Sequence, residues 1–358
     1  MNEKIQLIIF IGIFLAICAG INYFVLSNIV KFFEIQKNIW FYFVVFILTI
    51  SYIVASMLES GFGTVLSKII YFISASWLGF VFIMFILILL FKLISVFITL
   101  PTYQSGIVLL IIGLLLSIFG FINTRIITVD NIDIHTDKVD SEIRIVQISD
   151  MHIGPVNDKN FIKNIVYMTN KLNPDYVFLT GDLLDGRYKY NKTDFNILKK
   201  LSGKKYFITG NHETYAGIDY SMHLIDGLDF RVLRNESVID NKLQVIGIDD
   251  SDDRKQVLKV LKNIELDDNK YKILLYHRPI GYRDVKGKID MMLSGHTHAG
   301  QIFPFSILAW LENKYINGMF YENGTILYVS SGAGTWGPPM RIGSRSEIVL
   351  IRLLPLNY

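Results

Sequence analysis

Met292-Leu293-Ser294-Gly295-His296-Thr297-His298-Ala299-Gly300 is where this chain turns from packing to chemistry. The apolar run Met291 to Leu293 stops at a glycine, and two histidines follow one residue apart. In extended backbone, residues i and i+2 point to the same side. His296 and His298 are therefore expected to present two imidazoles to one place, with Thr297 facing away. Imidazole is the commonest side-chain ligand for a transition metal. The pair alone also fits two surface histidines in a loop. Four stretches upstream repeat the form: a short apolar strand, a turn, then Asp, Asn or His.

Ile143 to Ile148 reads as a strand ending at Ser149-Asp150-Met151-His152. From Asn160 to Leu172, apolar residues at Phe161, Ile162, Ile165, Val166, Met168 and Leu172 form a helical stripe, which Asn173-Pro174 stops. The strand Tyr176 to Leu179 ends at Thr180-Gly181-Asp182-Leu183-Leu184-Asp185. A helical stretch around Asp194 to Lys200 leads to the strand Tyr206 to Ile208, which ends at Thr209-Gly210-Asn211-His212-Glu213. Leu243 to Ile248 precedes the acidic run Asp249, Asp250, Asp252 and Asp253, read as a solvated turn capping a helix from Arg254 rather than a cation site. Lys272 to Tyr276 delivers His277-Arg278-Pro279. Strands alternating with helices predict an α/β layered domain with ligands at strand ends.

The first third is different. Up to Asn123 the only charged residues are Glu3, Lys4, Lys31, Glu34, Lys37, Glu59, Lys68 and Lys92, and from Thr124 charge becomes dense. That shift sets the expected boundary, residues 1–124 and 125–358. Four apolar stretches, roughly Ile5–Ser27, Ile39–Met57, Tyr71–Phe91 and Gly106–Ile122, approach the roughly 20 residues a membrane-crossing helix needs. Three further spans and no small-residue cleavage site argue against a signal peptide at the first. No Asp, and no Glu or Lys well inside a span, marks a transport path, so the helices read as an anchor in the cell membrane. Four spans put both termini on one side. Lys4, Lys68 and Arg125 there balance Lys31, Lys37 and Lys92 opposite, and Lys138 and Arg144 tip the C-terminal domain towards the cytoplasm. A net charge of +3 and no Lys/Arg block give no reason to expect nucleic acid. The single cysteine, Cys18, lies in an apolar run and excludes an internal disulfide.

Collected, the strand-end groups are Asp150, His152, Asp182, Asn211, His277, His296 and His298. Seven O and N donors are too many for one tetrahedral zinc and suit two divalent ions sharing a carboxylate. With no thiolate among them, they favour Mn, Fe, Zn or Co over Ca or Mg. Two such ions generate hydroxide at neutral pH and clamp an in-line phosphoryl displacement.

These five strand ends resemble, in order, the five signatures of the calcineurin-like metallophosphoesterases. Gly334-Thr335-Trp336-Gly337-Pro338-Pro339-Met340-Arg341-Ile342-Gly343 is similar to the membrane-anchored bacterial branch. The resemblance covers roughly Arg144 to Arg352. It implies two packed β-sheets flanked by helices, here preceded by four transmembrane helices. It also implies one ion on Asp150, His152 and His298, a second on Asn211, His277 and His296, and Asp182 bridging both. It further implies that His212 protonates the leaving group or stabilises the transition state, and that Glu213 and Asp185 orient histidines or loops. Arg341 is a candidate phosphate ligand, with a structural ion pair as the alternative, and Arg278 is read the same way. His135 and His223 match no motif and read as surface or packing residues.

The resulting expectation is a membrane-anchored phosphohydrolase with two divalent ions (Mn, Fe or Zn). It cleaves phosphoester or pyrophosphate bonds by attack of a metal-bridging hydroxide, on a substrate at the bilayer surface such as a phospholipid or nucleotide-linked lipid. A tethered phosphodiesterase for soluble nucleotides and a non-catalytic membrane sensor are the alternatives. Phe303, Phe305, Leu308, Trp310 and Leu311 are expected in the core by default, with a lipid-facing role as the alternative.

Overall fold

The computed structural model describes residues 3–356. Residues 1–2 and 357–358, at the outer ends of the two expected domains, lie outside the described residues. By contacts the chain divides into two compact units, Met1–Ile122 with Gly337–Met340, and Asn123–Trp336 with Arg341–Tyr358.

The first unit contains four helices, α1 (Glu3–Phe32), α2 (Ile39–Phe62), α3 (Val65–Ile94) and α4 (Thr102–Asn123), each long and apolar enough to cross a membrane. All four are longer than the apolar runs alone suggested. Asn38 accepts hydrogen bonds from the Trp40 and Phe41 amides at the start of α2, and Thr64 and Ser67 form a reciprocal capping box at the start of α3. The longer α2 takes in Glu59, which is buried in its last turn and accepts a hydrogen bond from Ser67 Oγ. Trp77, which sits away from the helix ends, donates through Nε1 to Asn22 Oδ1 at 2.9 Å, so its polar edge is satisfied inside the helical unit.

In the second unit, strands β1 (Ile127–Thr136), β2 (Ile143–Ile148), β3 (Tyr176–Thr180), β4 (Lys204–Ile208), β5 (Arg231–Val232) and β12 (Ser346–Pro355) form one sheet. Its order is β1-β12-β2-β3-β4-β5. The second sheet contains β6 (Glu236–Asp240), β7 (Leu243–Ile248), β8 (Tyr271–Tyr276), β9 (Met291–Ser294), β10 (Gly318–Glu322) and β11 (Thr325–Val329), in the order β10-β11-β9-β8-β7-β6. This is the expected two-sheet sandwich with flanking helices.

Side-chain alternation builds the layers. In β2, Ile143 and Ile145 face the core shared with Leu243, Val245, Ile273 and Leu293 of the second sheet. Val146 and Ile148 face the opposite way and pack with Ile162 and Ile165 of α5 (Lys159–Lys171). Asp158 caps α5 through the Asn160 and Phe161 amides. The register aligns the strand ends: β2, β3 and β4 run parallel with Ile148 opposite Leu179 and Leu179 opposite Phe207, and β8 and β9 run parallel with Leu275 opposite Leu293. The expected helix around Asp194 to Lys200 is broken into a short helix, Lys192–Phe195, and a 3₁₀ turn, Asn196–Lys200.

Ile273→Ala is expected to cost about 2–5 kcal/mol, because it opens a cavity between the sheets. Ile239→Ala, at an exposed position on the edge strand β6, should change stability by no more than about 0.5 kcal/mol. Urea midpoints of the detergent-solubilised protein measure the contrast.

Candidate metal centre

Each of the five segments bearing the expected ligands leaves the carboxyl end of a parallel strand, where the backbone stops pairing and can turn inward. Asp150 and His152 follow β2, Asp182 follows β3, and Asn211 follows β4 as the first residue of the short helix Asn211–Ala216. His277 follows β8, and His296 and His298 follow β9. The two sheets are pinned together beneath them. Gln147 Nε2 donates to Thr180 Oγ1 and to Ser294 O, each at 3.0 Å, and His277 Nδ1 lies 2.8 Å from Thr180 O.

Five of the seven residues, Asp150, His152, Asp182, His296 and His298, sit in left-handed backbone with φ between 44° and 74°. Non-glycine residues reach that region at a cost, and such strain gathers at functional sites. It also corrects the reading of the histidine pair. The backbone from His296 to His298 is a tight turn, with Thr297 at φ −84° and ψ −18°, and not an extended strand. The two imidazoles therefore join different groups. His298 clusters with Asp150 and His152, and His296 with Asp182 and His277; within each cluster the donor atoms lie within 4.8 Å of one another. Thr297 does face away, and donates to Ile316 O at 2.5 Å. Gly295 has to be glycine, since a Cβ there would lie 2.0 Å from Ser149 Oγ and 2.1 Å from Asp150 Oδ2.

Asp182 belongs to the second group and also reaches the first. Its Oδ2 is 3.1 Å from His277 Nε2 and 3.7 Å from His152 Nε2, and its Oδ1 accepts the His212 amide at 2.9 Å. Burial opposes its charge, but His277, and after it His212 and His152, outweigh that and hold the carboxyl well below the usual range. The same contact acts on His277: burial disfavours the imidazolium, yet Asp182 beside it, with Asp150 and Asp250, pushes it up to about 10. His296 is held down to about 3 by burial and by His277. Asp150 is raised by burial, which outweighs His277.

The donors fit divalent ions. Asn211 Oδ1 and His277 Nε2 are buried without a hydrogen-bond partner, the latter close to Asp182 but not aligned with it. His152 Nε2 and His298 Nε2 face each other at 3.0 Å, close enough for one neutral ring to donate to the other or for both nitrogens to hold one cation. Oxygen and imidazole nitrogen without thiolate is a donor set that suits divalent transition-metal ions.

Around these donors, Glu213 accepts from the amides of Asp182 (2.9 Å), Leu184 (3.2 Å) and Gly210 (2.7 Å), tying together the loops after β3 and β4. Asp185 Oδ1 lies 3.5 Å from His152 Nδ1, and Asp185 O accepts from His212 Nδ1 at 2.7 Å, which leaves Nε2 of His212 to carry or release a proton. The His212 ring stands edge-on to His152, at 4.5 Å between centroids, with Tyr215 and Trp336 beside it at 5.3 and 6.1 Å.

Arg341, read as a candidate phosphate ligand, is fully buried. Its Nη2 donates to the carbonyls of Ser331, Gly332 and Gly334 and lies 3.2 Å from His298 Nδ1, while Nη1 donates to His298 O. These contacts brace the His298 turn, and the Arg341 Nε is buried without a hydrogen-bond partner. Arg278 pairs with Asp250 at 2.8 and 2.9 Å and with Asp252 at 2.7 Å, the ion-pair alternative. The acidic run is likewise ion-paired, and the helix after it starts at Gln256. Motif reading gave no role to Gln147, to Asn157, whose Nδ2 donates to Met151 O and His152 O, or to Tyr215 and Trp336. Their positions follow from loops closing in space, and no spacing in the sequence signals them.

A profile of the calcineurin-like phosphoesterase family matches residues 143–300. An uncharacterized metallophosphoesterase of Helicobacter pylori (strain J99) is 41% identical over 236 residues, covering 63% of this chain and 63% of that protein. One from Aquifex aeolicus is 35% identical over 256 residues, covering 68% of this chain and 97% of that protein. A transmembrane protein with metallophosphoesterase domain from Danio rerio is 32% identical over 278 residues, 70% of this chain and 63% of that protein. The chain thus spans less than two thirds of the length of the Helicobacter and Danio relatives.

Metal binding should release protons, because His277, pushed up to about 10, carries one at pH 7 that must leave before its nitrogen can act as a ligand. Affinity should therefore rise with pH below that value. Calorimetry of Mn addition in two buffers of different ionisation heat is expected to show release of about one proton or more; equal heats in both buffers would contradict it.

Proposed function

The chain belongs to the calcineurin-like metallophosphoesterases, and from that membership we propose that it is a membrane-anchored two-metal phosphohydrolase. The observation that carries the reading is the convergence of donors from both sheets, Asp150, His152 and His298 in one group and Asp182, His277 and His296 in the other, with Asp182 also 3.7 Å from His152. Asp150, His152 and His298 would hold one ion and Asn211, His277 and His296 the other, with the Asp182 carboxylate available to both. When bound, two ions of the Mn, Fe or Zn class supply hydroxide at neutral pH and neutralise charge on the phosphoryl oxygens. His212, fixed by its Nδ1 hydrogen bond to Asp185 O, uses Nε2 to assist the departing alkoxide. Glu213 holds the two loops that place Asp182 and Asn211.

The substrate we infer is a phosphoester or pyrophosphate presented at the bilayer surface. Support comes from the four apolar helices and from an exposed apolar helix that follows the His298 turn. The basic residues Lys138 and Arg144 after the last span favour a cytoplasmic catalytic domain.

Full-length protein in detergent, stripped of metal and resupplied with Mn or Zn, should hydrolyse aryl phosphate mono- or diesters. Asp182→Asn should lose at least about 100-fold, beyond the 10–100-fold typical of residues that only orient ligands. Activity that is independent of metal, or retained in Asp182→Asn, would reject the two-metal reading. Faster turnover of soluble nucleotide esters than of lipid esters would replace the lipid substrate with a soluble one.

A further inference from the structure

The segment after the ligand turn does not pack as a core element. In the helix Phe305–Asn313 only Ala309 is buried. Phe303, Phe305, Ile307, Leu308, Trp310 and Leu311 are 48% to 62% exposed, and none of the residues from Phe303 to Leu311 is charged. Among the described residues of the second unit, fourteen large apolar side chains are exposed, and six of them fall within these nine positions. Exposure on that scale in one helix marks an interaction surface, whereas scattered exposed apolar residues do not.

We propose that this helix is a membrane-interface element whose side chains sit in the acyl–headgroup boundary of the bilayer. Its composition of Phe, Ile, Leu and one Trp, with charge resuming only at Glu312 and Lys314, suits that boundary. The bilayer is also always at hand, since the same chain carries four candidate spans and only Thr124–Ile126 separate the end of α4 from the start of β1. A soluble partner would have to be recruited to this surface; the membrane would not.

The helix packs directly against the metal-binding turn. Gly300, at φ +76°, lets the first helical turn press against it so closely that a Cβ there would lie 2.2 Å from Ser306 Cα. Gln301 O, between the two, accepts from Ser344 Oγ at 3.0 Å. Lipid contact by the helix therefore fixes the height of His298 above the bilayer. This proposal concerns where the helix sits and does not depend on the reaction catalysed.

Spin labels on the full chain in liposomes test it. In a Cys18→Ser background, single cysteines are placed at Leu308, at Leu311 and, as a control, at the exposed Tyr167 of α5. Labels at 308 and 311 should favour collision with oxygen over a water-soluble nickel complex by about tenfold or more relative to the control, because charged species are excluded from hydrocarbon. Equal access to nickel at 308, 311 and 167 would place the helix in water and overturn the proposal. Shielding of 308 and 311 from both reagents would overturn it as well, in favour of a protein surface such as a second copy.

Discussion

A carboxylate taken out of water stays ionised only if charge or hydrogen bonds replace the solvent. For Asp182 the compensation comes from both sheets. His277 from the second sheet and His152 from the first face one oxygen, and the His212 amide donates to the other. Much of the second unit is arranged to make that meeting possible. Gln147 links β2 to the ends of β3 and β9, Glu213 gathers three amides from two loops, and the inter-sheet core below is packed without exposed members. A bridging position needs ligands from both sides, and two independently twisted sheets supply them only when their strand ends are held in one register.

The strain in the ligand loops follows from the same requirement. Short connections must reverse direction within two or three residues and still aim their side chains inward, and left-handed backbone at five ligands does this. Such conformations persist only where the surroundings over-determine them. Arg341 does so for the His298 turn by binding carbonyls of three other loop residues, and Asn157 does so for the Asp150–His152 loop. These buried donors offset the lost pairing of the loops' own carbonyls.

Much of this was legible in the sequence because strands and their ends have local signatures. Short apolar runs that end in Asp, Asn or His, four of them after a Gly or Ser, located all five ligand-bearing segments, and the stripe from Phe161 to Leu172 marked α5. What stayed hidden depends on groups far apart in the chain. The extended reading of His296 and His298 failed because both residues sit in left-handed backbone within a tight turn, which the apolar run before Gly295 does not encode. Arg341 could not be placed from sequence because its partners are backbone carbonyls, which every residue has. For the stretch around Trp310 the sequence left core and lipid contact both open, with core the default, because apolar composition records a preference for leaving water without specifying whether protein or lipid receives it.

The central claim, that Asp182 joins two ions in one centre, is tested most directly by electron paramagnetic resonance of the Mn-loaded protein. Two ions roughly 3.5–4 Å apart that share a carboxylate are exchange-coupled, so the spectrum should be that of a spin-coupled pair, changing to isolated six-line manganese in Asp182→Asn. A six-line spectrum from one isolated ion in the unaltered, fully loaded protein would contradict the account.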